Sequence, residues 1–102
     1  MIKKNHLKDV TALIDVSIQY TGDVVPSYRV YVADELFVER RYLYQCSHLE
    51  ENIPVRGPYG LYPIRVELLP HENAVLRVKN HRVIFGPGRF RKHGLEIHDE
   101  AS

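Results

Sequence analysis

The carboxylates are the first residues whose types could do chemistry. Glu50 and Glu51 are adjacent, and Glu39 lies a short way upstream, so a pair of acids for glycoside hydrolysis has to be weighed. Adjacent residues on a strand point to opposite faces, so Glu50 and Glu51 cannot flank one bond. Glu39 could approach either across a strand pair, but nothing in the sequence requires it, and all three read as solvated surface acids. Asp34 and Glu35 at a hairpin tip could contribute to a calcium site. Calcium takes about six to eight oxygens, and the Asp/Asn-rich loop that would supply them is missing. His93 and His98 are five apart, and His48 lies two after Cys46. Neither spacing fits zinc, and a lone cysteine offers no Cys-x-x-Cys. Cys46 and His48 would share a strand face, yet no orienting group or oxyanion site accompanies them. Gly86-Pro87-Gly88 is too short and rigid for a phosphate loop. The expectation is a non-enzyme, with no catalytic residue, metal ligand or cofactor.

Binding residues are easier to find. Arg77, Lys79, Arg82, Arg89, Arg91 and Lys92 put six positive charges between positions 77 and 92 with no acid among them. His81, His93, Phe85 and Phe90 lie in the same stretch. Three readings fit. The segment is a solvated strand and tail with Phe85 in the core, or it docks on an acidic protein surface, or it holds a phosphate backbone. Nucleic acid ranks last of the three, because the chain's net charge is only +1. Asp34, Glu35, Glu39, Glu50 and Glu51 form an acidic counterpart. Copies meeting head to tail through these regions would make a heterologous contact that generates rings or lattices. Tyr31 and Tyr59 are expected to face outward, where tyrosine serves sugar and protein partners alike. About half of the tyrosines are expected in the core or in cross-strand pairs. Tyr31, Asp34, Glu35, Glu39 and Tyr59 thus make a candidate interface or ligand surface.

The frame that positions these residues is read from alternation. Val10, Ala12, Ile14, Val16, Ile18 and Tyr20 are apolar at every second position, with Leu13 the exception. That period predicts a strand with one buried and one wet face. Tyr28, Val30 and Val32 begin a second strand with Arg29 and Tyr31 on its other face. After the break Ala33-Asp34-Glu35, a third runs from Leu36 to Tyr44, so the two predict an antiparallel hairpin. The third run changes phase, and a bulge near Phe37 or Arg40 is expected. Leu49, Ile53 and Val55 give a fourth strand, which Pro54 assigns to an edge or strand end. Gly57-Pro58-Tyr59-Gly60 turns the chain into a fifth strand, Tyr62 to Leu68. Leu76 and Val78 start a sixth, Asn80-His81 is a tight turn, and Val83 and Phe85 form a seventh. Gly86-Pro87-Gly88 ends the pattern.

Regularly spaced strands and turns predict an all-β fold, a single antiparallel, jelly-roll-like sandwich of about seven or eight strands. The chain of 102 residues is enough for one domain. Its expected organisation is a polar flank over 1–8, the sandwich over 9–88 and a polar flank over 89–102, the flanks being either disordered alone or ordered on a partner. Cys46 is the only cysteine, so no intramolecular disulfide forms. No stretch has the length of a signal h-region or a membrane span, which predicts a cytoplasmic protein without a membrane partner.

The order of Tyr28–Arg40, Leu49-Glu50-Glu51 and Gly57–Val66 resembles small β-sandwich proteins of tailed bacteriophages, whose jelly-roll shape is similar to carbohydrate-binding modules. The resemblance spans roughly residues 10–86. It implies a virion component, such as a capsid decoration, cement or tail-associated protein, made in the host cytoplasm. Its partners would be other protein subunits, either copies of itself or capsid or tail proteins. It implies as an alternative a module binding polysaccharide through Tyr31 and Tyr59. Such modules usually present Trp or Tyr platforms, and this chain has no Trp.

Overall fold

Alternation along the first strand becomes the core of the molecule. The computed structural model describes residues 7–43 and 48–98. Strand β1 (Lys8–Tyr20) buries Val10, Ala12, Ile14, Val16 and Ile18 to 1% exposure or less, while Thr11, Leu13, Asp15 and Ser17 face the other way. Burying each of those aliphatic side chains contributes roughly 1.5–3 kcal/mol, Ala12 less. Strands β4 (Leu49–Gly57) and β7 (Ala74–Phe85) flank β1 in a three-stranded sheet A. Strands β3 (Glu35–Arg41) and β6 (Ile64–Leu68) flank β2 (Ser27–Val32) in sheet B. Strands β5 (Gly60–Tyr62) and β8 (Gly88–Arg91) flank β9 (Gly94–Ile97) in a small sheet C. All pairings are antiparallel. The described residues form an all-β fold in which sheets A and B share one core, with Leu95 and Ile97 of sheet C closing it.

The β2–β3 hairpin turns at Ala33 and Asp34, both at positive φ (49° and 68°). Two such residues make the turn whose twist matches the flanking strands. Val30 pairs with Val38 and Tyr31 with Leu36, so Phe37 is the extra residue of the expected bulge. β4 is an edge strand, in keeping with Pro54. Tyr28 and Tyr42 are fully buried, and Tyr59 is 72% exposed.

Four expectations are corrected. The run from Tyr62 to Leu68 is two strands in two sheets, because Pro63 has no N–H to continue a ladder. Asn80-His81 is a bulge inside a continuous β7, where two residues oppose Ile14 alone. Asn80 takes the left-handed conformation (φ 57°) that asparagine tolerates, so turn chemistry is used without a turn. Phe85 is 62% exposed rather than in the core, because a second bulge at Ile84 sets it opposite outward-facing Thr11. Finally, the fold does not end at residue 88. Gly86-Pro87-Gly88 is a corner, and β8 and β9 form a hairpin over the expected flank. At Gly86 (φ 90°) a Cβ would strike the backbone of Asp9, so only glycine lets the corner cross β1 this closely. Tyr44, Cys46 and the ends of both flanks (1–6 and 99–102) lie outside the described residues.

Of the two buried carboxylates among the described residues, Asp15 and Glu51, the second lies deeper. Leu49, Glu51, Ile53 and Val55 share the inner face of β4, and Glu51 is 1% exposed. Its Oε2 accepts hydrogen bonds from the Tyr28 hydroxyl and from Arg40 Nε. Oε1 is buried without a partner among the described residues. Burial first, and the Glu51 bond second, push the Tyr28 phenol far above its ordinary range, so it remains a proton donor. The same carboxylate holds the Arg40 guanidinium in its charged form. Removing Glu51 leaves the buried Tyr28 hydroxyl without its acceptor, while the half-exposed Arg40 guanidinium can turn to water. Glu51→Ala is expected to lower stability by about 1–3 kcal/mol, and Tyr28→Phe by about 1–2 kcal/mol. In urea unfolding the double variant should lose less than the sum, and an unchanged midpoint for Glu51→Ala would remove this contact from the fold's energetics.

Candidate functional site

The outer face of sheet B carries two of the expected surface residues. Antiparallel register sets Tyr31 beside Leu36 and Arg65, and Arg29 beside Glu39 and Glu67. The Tyr31 hydroxyl lies 3.2 Å from Glu67 Oε1, and the Arg65 guanidinium is 4.1 Å from the Tyr31 ring centroid. Arg29 Nε donates to Glu39 Oε1 at 2.8 Å. Tyr31 is therefore outward but covered on one ring face by a cation, and Glu39 is paired. A sugar needs a bare ring to stack on, and here the guanidinium already occupies one side.

The other three residues are placed elsewhere. Asp34 is at the hairpin tip. Glu35 pairs with inward-facing Val32 and lines a groove of about 270 Å³ with Leu36, Phe37, Pro54, Val55 and Arg56. This groove runs between two edges that are unpaired among the described residues, β3 of sheet B and β4 of sheet A. Tyr59 belongs to the turn before β5, and no described hydrogen bond or ring contact joins it to Tyr31. The five residues thus occupy a face, a tip, a groove and a turn.

The basic stretch is likewise divided. Arg89 Nε and Arg91 Nη1 both bond Glu96 Oε1 at 3.1 Å. Arg82 Nη2 lies 3.4 Å from Asp15 Oδ1 and 3.5 Å from Glu50 Oε2. Arg77, Lys79 and Lys92 are exposed and have no ion pair among the described residues. Three of the six cations are ion-paired within the fold, Arg89 and Arg91 through the one carboxylate of Glu96, which lowers the stretch's pull on a phosphate backbone.

Cross-strand register creates a cluster that spacing along the chain could not reveal. Asp15 pairs with Glu50 on one side and Lys79 on the other. Asn80 Nδ2 donates to Asp15 Oδ2 at 2.6 Å. His48 Nε2 is 4.0 Å from Asp15 and 3.9 Å from Glu50. One ligand atom from each of Asp15, His48 and Glu50 falls within 4.8 Å of the others. Such a trio has the donor types of a divalent-cation site. The Arg82 guanidinium already bridges the two carboxylates, however, and an ion would have to displace it. Cys46, weighed above as a partner of His48, lies outside the described residues. Glu51, expected on the surface, was detectable in principle from its phase with Ile53 and Val55.

No family model, curated protein or solved structure matches the chain.

Two carboxyls respond to acid. The Asn80 bond, opposed by burial and reinforced by the charges of Arg82 and His48, holds Asp15 below its ordinary 3.8. The Arg89 bond, opposed by burial and reinforced by Arg91, holds Glu96 below its ordinary 4.5. A depressed folded-state value stabilises above the unfolded value, and that stability is lost as pH falls through the folded one. Melting temperature should therefore drop on acidification below about pH 4. Asn80→Ala should lose less over the same interval, because Asp15 moves back toward its ordinary value. Identical acid limbs for the two proteins would show that the Asn80 bond does not set the Asp15 titration.

Proposed function

We propose that this domain is a non-enzymatic assembly module that works through protein–protein contacts. The observation that carries the reading is the groove between the free edges of β3 and β4. Leu36 is 54% exposed and Phe37 37%, and both line it with Pro54 and Val55, while Glu35 and Arg56 form charged rims. An apolar centre with a charged rim is the anatomy of a protein interface. Unpaired edge strands on both sides offer backbone donors and acceptors to an extended segment of a neighbouring subunit. The setting implied by the phage resemblance, a virion component among capsid or tail proteins, is the finer form of this proposal. Polysaccharide binding is less well supported, since Arg65 covers one face of the Tyr31 ring and no described hydrogen bond or ring contact joins Tyr59 to it. Nucleic acid is less well supported, since Arg82, Arg89 and Arg91 are each engaged in an ion pair within the fold.

Leu36→Asp tests the groove. Its side chain is largely exposed, so the change should alter stability by only about 0.5 kcal/mol. Sedimentation velocity should show a concentration-dependent larger species for the wild type, or co-sedimentation with particles from its source, and Leu36→Asp should abolish either. A wild-type monomer at every concentration, at low and high salt and without particle association, would sink the assembly reading.

A further inference from the structure

The seam opposite the groove carries a second, chemically different cavity. The end of the β8–β9 hairpin meets β6 and β7 around a pocket of about 360 Å³. Ile64 comes from β6, His81 from β7, and Phe90, Arg91, Lys92 and His93 from the hairpin. The bulge at Asn80 brings His81 to this seam, where its ring meets Phe90 edge-on with centroids 5.1 Å apart. Arg91 pairs with Gly94, leaving Lys92 and His93 as a two-residue turn. Gly94 (φ 146°) lets that turn press against Pro63, where a Cβ would come within 2.7 Å of backbone atoms.

Charge makes this pocket distinct from the groove. No carboxylate is among its lining residues. Arg91 shares a single oxygen of Glu96 with Arg89, so two guanidinium charges meet one carboxylate and one positive charge is left over. Lys92 adds a cation with no ion pair among the described residues, and His93 adds a ring donor. We infer that this pocket binds the phosphate group of a small phosphate monoester. Arg91, Lys92 and His93 would take the phosphate oxygens, whose three free acceptors suit three donor side chains. Phe90, Ile64 and His81 would take the organic part of the ligand. The volume lies within the range of small-molecule sites, about 300–1,000 Å³. This assignment is independent of the assembly reading, since it uses the other seam and other residues.

The test is a titration of amide resonances of the full chain with inorganic phosphate and with phenyl phosphate. Saturable shifts confined to His81 and Phe90–Gly94 are expected, with phenyl phosphate binding more tightly than phosphate. Lys92→Glu lies on an exposed turn and should preserve the spectrum elsewhere while weakening both ligands about tenfold or more. Phe90→Leu should erase the preference for phenyl phosphate and keep phosphate binding. The inference is overturned by shifts that do not saturate or that spread equally to Arg77 and Lys79. It is overturned equally by unchanged affinity in a folded Lys92→Glu. Length-dependent binding of single-stranded DNA without response to either small phosphate would also overturn it, and would identify a nucleic-acid surface instead.

Discussion

The carboxylate of Glu51 is the constraint on which the sandwich is organised. Sheets A and B each end in an unpaired strand at one seam, β4 and β3. Apolar packing alone would leave those edges free to slide, because the hydrophobic effect is non-directional. Glu51 supplies direction. It reaches from β4 to Tyr28 on β2 and Arg40 on β3, and so ties both sheets at one height. The guanidinium remains half exposed while the carboxylate is buried, so only one of the two charges is fully withdrawn from water. Below this tie the seam opens into the apolar groove, and above it lies a polar cleft lined by Glu39, Arg41 and Leu43.

The second organising device is the bulge. Bulges at Phe37, at Asn80-His81 and at Ile84 each add one residue to one strand of a pair. Each flips the phase of the side chains beyond it. The result is functional placement rather than loss of pairing. Phe37 is turned into the groove, His81 is delivered to the cationic pocket, and Phe85 is put on the surface. Asn80 does double duty, since the residue that absorbs the bulge also fixes the Asp15 carboxylate.

Most of the strand positions were legible because alternation and turn residues are local. β1 could be read nearly residue by residue, the hairpin turn was marked by its polar break, and the bulge (near Phe37 or Arg40) and the place of β4 (an edge or a strand end) were each narrowed to two choices. What could not be read depends on register. Asp15, His48, Glu50 and Arg82 are far apart in the chain and meet only because β1 lies between β4 and β7. The six-cation stretch looked like one patch because spacing shows charge but not partners, and Glu96, Asp15 and Glu50 arrive from other strands. The C-terminal hairpin was hidden by its polarity. Only Phe90, Leu95 and Ile97 turn inward, and three apolar residues are too few to stand out among charges.

The central position of β1 has a consequence for how the molecule is made. Its hydrogen-bonding partners, β4 and β7, come later in the chain by tens of residues, and neither adjoins it in sequence. During synthesis its thirteen-residue apolar-polar alternation therefore emerges before either of these partner strands. Closure over such separations is slow, and a bare amphipathic strand is a template for pairing with other chains. The hazard of aggregation thus falls on the nascent protein, and ends when β7 is laid down along β1.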